Sequence, residues 1–372
     1  MTAVQVVQVV RVVQAVSAAK VVKMRLHKSL SRFTMLPLVI SMALSLLALP
    51  SHPSNAVPSS DGIDRDRKIA LLFDSGGPGD GSFNDAARKG LQKAVKKYKL
   101  YAPNVRELVT DGTLGDRIYR LRLMARNGYD LMIAVGSANA EAVRRVSLEH
   151  PEQEFAILND GTVSGLNVAS LIFDDRQAAY MAGFAAALTT RSRQILYIAK
   201  DQPELNRLAE HFERGAKAAG RDGGVEINVS HMGLDFAASL DGEVDRVYST
   251  WNLDAAVLSA VIVRNRERTR AGQIKVIANT PDQYYANLEI AKPHLLLTID
   301  RNVDKAIGLV VTSVVRGDYV LNLLDGVNNV FGRRFTFAND GLTVKYRSKV
   351  STRVERRIQA EIKRIASKEI TF

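Results

Sequence analysis

The sequence predicts an α/β protein built as two lobes, each a mostly parallel sheet flanked by helices. Three observations lead there. From residue 68 onward, short runs rich in Val, Ile and Leu alternate with longer segments whose apolar residues recur at helical spacing. The pattern restarts after residue 160, and a chain of 372 residues has room for two such units. Apolar residues make up 46%, enough for two large cores. Regular β-α alternation implies parallel strands covered by helices on both faces.

The first unit opens on the buried run KIALLFD (68–74), followed by helical spacing over 84–98. VRELVT (105–110) reads as a strand, 114–126 as a helix, YDLMIAV (129–135) as a strand, 138–149 as a helix and EFAILND (154–160) as a strand. The second unit begins with the strand NVASLIF (167–173) and the helix 176–190. QILYIA (194–199), VEINVS (225–230), RVYST (246–250), IKVIAN (274–279) and HLLLTID (294–300) are its further strands. Helices are expected over 205–219, 254–266 and 303–315. The last helix, TRVERRIQAEIKRIASK (352–368), carries a T-x-x-E capping box at Thr352 and Glu355 and an apolar face of Val354, Ile358, Ile362 and Ile365. Its basic face reads as solvated. Ligands in open parallel sheets bind at the carboxyl ends of strands, so the loops after these runs are where a site is expected.

The composition narrows the function. The count of zero cysteines removes disulfides and thiolate chemistry, and six histidines without ligand spacing argue against a metal site. The formal charge of +12 is unevenly spread: residues 1–56 carry six basic side chains and no acid. No basic stretch is interleaved with aromatics, so nucleic acid is not an expected partner. Within residues 1–56, Met24 opens a segment with the three parts of a secretory signal. Arg25, Lys28 and Arg32 precede the apolar run 33–49, and Ser54 and Ala56 supply small residues at a cleavage site. Two readings stand: cleavage near Ala56 with release, or an uncleaved segment that tethers the protein to a membrane. Residues 57–67 form a short polar linker.

The stretch FDSGGPGDGSFN (73–84) lies between a strand and a helix, the place of a phosphate loop. It lacks the G-x-x-x-x-G-K-[ST] and G-x-G-x-x-G spacings, and Asp74 and Asp80 would repel a phosphate. A turn needing positive φ explains the glycines but leaves Phe83 unexplained. As acid/base catalysts, Asp74 and Asp80 stand without a nucleophile elbow, triad spacing or metal cluster, and no enzyme is expected.

DSGGPGDGSFN resembles the signature D-S-G-G-x-x-D-x-S-F-N of the basic membrane protein family, exported substrate-binding proteins whose best-understood members bind purine nucleosides for ABC transporters. HPEQEFAILND, NVASLIFDDRQAAYMAGFAAALTT, FERGAKAAG, NTPDQYY, LTIDRNVDKAI and FANDGLTVKY are similar to later family segments, in order. The resemblance implies the type I periplasmic-binding-protein fold, with residues 68–163 and about 299–320 as the first lobe and 164–298 and about 321–372 as the second. It implies that Phe83 stacks on a base, Asn84 hydrogen-bonds it, and Asp74 and Asp160 complete the first wall. A flat aromatic with amide and carboxylate neighbours suits a polar heteroaromatic ligand. The second wall departs from the family. Thr280 stands where an Asp is expected, Arg301 replaces a Lys, and STWNLDAA, with Trp251, replaces a glycine loop. Phe236 is the candidate for a second stacking aromatic. The expected function is therefore an extracytoplasmic solute-binding protein that closes on a small polar, nucleoside-like ligand and serves an ABC permease, as a monomer without cofactor or metal. The alternative is a ligand-sensing or degenerate binding protein acting on a membrane partner.

Overall fold

A computed structural model describes residues 61–199, 203–219, 226–231, 237–249, 255–282 and 288–372. Residues Ala56–Phe372 form one compact unit. The expected targeting segment lies outside the described residues, as do Phe236 and Trp251.

In chain order the first elements are β1 (Ile69–Leu72), α1 (Phe83–Tyr98), β2 (Val105–Leu108), α2 (Leu114–Arg126), β3 (Leu131–Val135), α3 (Ala140–Glu149), β4 (Glu154–Leu158) and β5 (Val168–Phe173). Next come α4 (Asp175–Thr189), β6 (Gln194–Ala199), α5 (Pro203–Ala219), β7 (Glu226–His231), β8 (Arg246–Ser249), α6 (Ala255–Arg266), β9 (Lys275–Thr280) and β10 (Leu295–Arg301). The chain finishes with α7 (Val303–Val315), β11 (Gly332–Phe335), β12 (Leu342–Tyr346) and α8 (Thr352–Ala366).

Two six-stranded sheets result, ordered β11-β5-β4-β3-β1-β2 and β12-β10-β9-β8-β6-β7. Every strand pair is parallel except β10–β12. Strand alternation builds a core on each side of the first sheet. Ile69, Leu71, Ile133 and Leu158 face the layer holding α1 and α7, while Ala70, Leu72, Met132 and Phe155 face α2 and α3. Each such large apolar side chain contributes roughly 1.5–3 kcal/mol on full burial. Helix α1 buries Ala87, Leu91, Ala94 and Tyr98, and Gly90 lets it approach α7 so closely that a Cβ would lie 2.9 Å from the Asp304 Cα.

The sheets exchange chain three times. Segment β5–α4 crosses at Asp174, β10–α7 at Asn302, and β11–β12 through residues 336–341. The crossings are tied together: the Asp174 amide donates to Phe335 O (2.9 Å), the Phe337 amide to Gln177 Oε1 (3.1 Å) and the Asn302 amide to Gly341 O (2.9 Å).

Two expectations change. Residues 167–173, expected to open the second lobe, pair with β4 and extend the first sheet. Strand β11, inside the segment assigned to the second lobe, closes the same sheet beside β5. Strand β5 is a buried apolar strand and β11 an edge strand with two arginines, and in both the partner is set by register rather than by position in the chain. At α8 the cap is Ser351, whose Oγ accepts from the Val354 amide (3.3 Å), one residue before the Thr352 of the expected box.

Candidate ligand-binding site

Asp74 lies two residues past the end of β1, and the glycine loop then turns back to start α1. Its four glycines all hold positive φ, from 61° to 104°, which explains their number. The acids of the loop are anchors. Asp80 accepts from the amides of Ser82 (2.8 Å), Asn84 (3.1 Å) and Asp85 (3.1 Å), and Asp85 accepts from those of Gly79 (2.8 Å) and Gly81 (2.7 Å). Carboxylates at the first turn of a helix meet its free N–H groups and its dipole. Asp80 is thereby a cap.

Asn84 is 3% exposed and locks the loop. Its Oδ1 accepts from the Asp74 amide (2.9 Å), and its Nδ2 donates to Gly77 O (3.1 Å). The amide expected to meet a ligand is turned onto the backbone that shapes the site. Asp74 remains more open. Its Oδ1 accepts from the Ser75 amide (2.7 Å) and from Arg117 Nη2 (3.0 Å). Beside Asp74 Oδ2 sits Gly136, at the end of β3, where a Cβ would lie 2.9 Å from that oxygen.

Sequence reasoning missed Arg117. It is buried on α2 and also donates to Ser75 Oγ (3.0 Å) and Ala138 O (2.9 Å), joining the ends of β1 and β3. A signal existed: Arg117, Leu121 and Met124 fall at i, i+4 and i+7, so the arginine lies on the buried stripe of its helix.

Phe83, the first residue of α1, is half-buried and meets Phe173 edge-on, with centroids 6.3 Å apart. Phe173 in turn packs on Phe335 at 5.3 Å. Asp160, beyond the end of β4, accepts from the amide and hydroxyl of Thr162 (both 2.8 Å).

In the second sheet, Thr280 and Arg301 lie at the ends of β9 and β10, which are neighbours. Thr280 Oγ1 donates to Asp300, whose other oxygen pairs with Lys345. Arg301 is held between Asp175 and Asp282, with Nη1 to Asp282 Oδ1 at 2.7 Å and Nε to Asp175 Oδ1 at 3.2 Å. Burial opposes its charge, but Asp175 and Asp282 outweigh burial and raise its pKa. Asp175 follows Phe173 by two residues across the first crossing, so the aromatic cluster and the arginine cluster flank the same crossing. The structure thus groups Asp74 with Asn84, Phe83 with Phe173, and Arg301 near Thr280. Among the described residues, no cluster of three His, Cys, Asp or Glu could hold a metal ion.

Comparison with known proteins fits this arrangement. Residues 67–239 match the family model of PnrA-like ABC transporter substrate-binding proteins. The CD4+ T-cell-stimulating antigen of Listeria innocua is 28% identical over 216 residues, 56% of this chain and 58% of the antigen, so the chain spans little more than half of that relative. The ABC transporter nucleoside-binding protein BmpA of Lactococcus lactis is 26% identical over 66% of this chain and 74% of its own length. Basic membrane protein B of Borreliella burgdorferi is 25% identical over 79% and 83%. Among solved structures, an ABC transporter solute-binding protein from Aeropyrum pernix superposes with a TM-score of 0.63 at 20% identity, covering 82% of this chain and 93% of that one. A solute-binding protein from Conexibacter woesei gives 0.63 at 18%, over 82% and 98%. These two share its fold. The family is one of substrate-binding proteins and not of enzymes. The likeness to PnrA-like ABC transporter substrate-binding proteins thus rests on residues 67–239, a little under half of the chain.

Proposed function

We propose that the protein captures a small polar, nucleoside-like ligand between its two sheets outside the cytoplasm and delivers it to an ABC permease. The observation that carries this reading is the pairing, at one strand-end edge, of the half-buried Phe83 ring with the Asp74 carboxylate held in place by Arg117. A base stacks on the ring, and Asp74 accepts from its N–H groups or from a sugar hydroxyl. Asn84 acts through the loop it locks. Asp160, Thr280 and Arg301 line the rest of the cleft, with Phe236 and Trp251 as further wall residues. The three crossings form the hinge of closure, and no bond is broken. The nucleoside-binding relative supports the ligand class.

Calorimetry with a panel of purine and pyrimidine nucleosides tests this. At least one nucleoside is expected to bind, and Phe83→Ala should weaken it by about tenfold or more, the range of a lost base stack. Absence of binding by every nucleoside, or full affinity in Phe83→Ala, defeats the reading.

A further inference from the structure

The edge of the first sheet opposite the candidate site has a surface of its own. There the strands begin: Ile69, Val105 and Leu131 lie in register across β2-β1-β3, and Glu154, Val168 and the start of β11 continue the line. The segments entering these strands expose large apolar side chains, namely Tyr101, Leu148 in the last turn of α3, Leu166, Tyr319 and Leu324. Leu148 is 78% exposed and Tyr319 67%. Five of the twelve exposed large hydrophobics among the described residues thus lie at one end of one sheet.

Cations accompany them. Helices α1 and α7 both end at this edge, where Lys96, Lys97, Lys99 and Arg316 are exposed and in no ion pair with a described residue. The exposed acids there are Asp61, Asp66, Glu149, Glu152 and Asp318, of which Asp61 pairs with Arg65 and Glu149 with Arg122.

The chain also enters here. The Asp64 amide donates to Val315 O (2.7 Å) at the end of α7, and the Tyr101 amide donates to Arg65 O (3.1 Å) just past α1. About a dozen residues upstream of Asp61 the sequence holds the apolar run 33–49. A linker of that length reaches at most about 40 Å. Apolar tips spread across the entries to β2, β4, β5 and β11 do not form the compact apolar centre of an interface with a folded partner. A headgroup layer, by contrast, accepts scattered side chains one at a time. Tyrosines and unpaired lysines suit such a layer, because the ring tip and the ammonium stay hydrated while their apolar parts sink.

We propose that this edge rests on the anionic surface of a lipid bilayer, leaving the ligand cleft at the opposite end directed away from it. The absence of cysteine makes the test direct. Tyr319→Cys, beside the start of β4, and Ile290→Cys, on the second-sheet side, each carry an environment-sensitive fluorophore on the full chain. Each is mixed with phosphatidylglycerol-containing vesicles bearing lipid-linked quenchers, and with phosphatidylcholine vesicles. The probe at 319 should be quenched and blue-shifted on anionic vesicles and the probe at 290 should not. In parallel, the Ala56–Phe372 unit, which contains every core described above, should co-sediment with anionic vesicles in a salt-dependent way. The triple variant Lys96→Glu, Lys97→Glu, Lys99→Glu should lose about tenfold or more of that partition. Equal quenching at the two positions, partition indifferent to lipid charge, or protection of position 319 only by an added permease would overturn the proposal.

Discussion

Asn84 shows how one side chain can matter to a site without facing it. Its amide satisfies the Asp74 N–H and the Gly77 carbonyl, so removing it strands both groups in a buried place. Asn84→Ala should therefore destabilise the fold by about 1–3 kcal/mol, read as a shift of the urea midpoint at unchanged slope. A midpoint equal to the parent's would show that the loop finds other partners. The sequence motif pointed to this residue correctly in position, but a motif carries no information on which way an amide turns. Arg117 is the complementary case. Its charge made it look like one more surface arginine of α2, although its helical phase already placed it inward. Asp175 and Asp282 carried no such signal, because their partner Arg301 is more than a hundred residues from the first of them.

Among elements, helices α4 and α5 make the tightest contact. Gly183 faces Phe212 O and Gly215 faces Tyr180 O, and a Cβ at either would stand 1.9 Å from a backbone carbonyl. Backbone cannot rotate aside as a side chain can, so Gly183→Ala should cost about 3 kcal/mol or more in chemical unfolding. Gly308, within α7, has nothing within 4 Å of its Cβ position, and Gly308→Ala should stabilise by about 0.5–1 kcal/mol. Opposite signs from one substitution type would tie both effects to geometry; two neutral results would refute it. The small-residue character of α4 was visible in the sequence, as were the strands of both sheets up to β10, each an apolar run of strand length. Strand β11 was not, because GRRF has two arginines among its four residues and is an edge strand with little apolar signature.

For the molecule as a whole, acid sensitivity should arise from two half-buried imidazoles. Burial, then the nearby Lys275, hold the His294 pKa below its ordinary 6.5, and burial, then Arg214, do the same for His211. The Asn265 side chain sharpens the first case. Its Oδ1 accepts from the Ile274 amide (2.7 Å), so its Nδ2 donates to His294 Nδ1 (2.8 Å), which must be unprotonated. The unfolded chain thus binds more protons than the native one just below the ordinary value. Stability rises with pH through that range and is lost as pH falls below it. Melting temperature should drop between about pH 7.5 and pH 5, and His294→Gln should flatten the drop. An unchanged slope in that variant would remove His294 as a cause. The two-lobe architecture was legible from β-α alternation, whereas the exchange of strands at the hinge was not, since alternation has no memory of which sheet a strand joins. That exchange sets a timetable for synthesis. The first sheet waits for β11 and the second for β12, so neither is whole until about nine-tenths of the chain has left the ribosome. A polypeptide whose two halves each depend on its last stretch stays unfinished while it is being made.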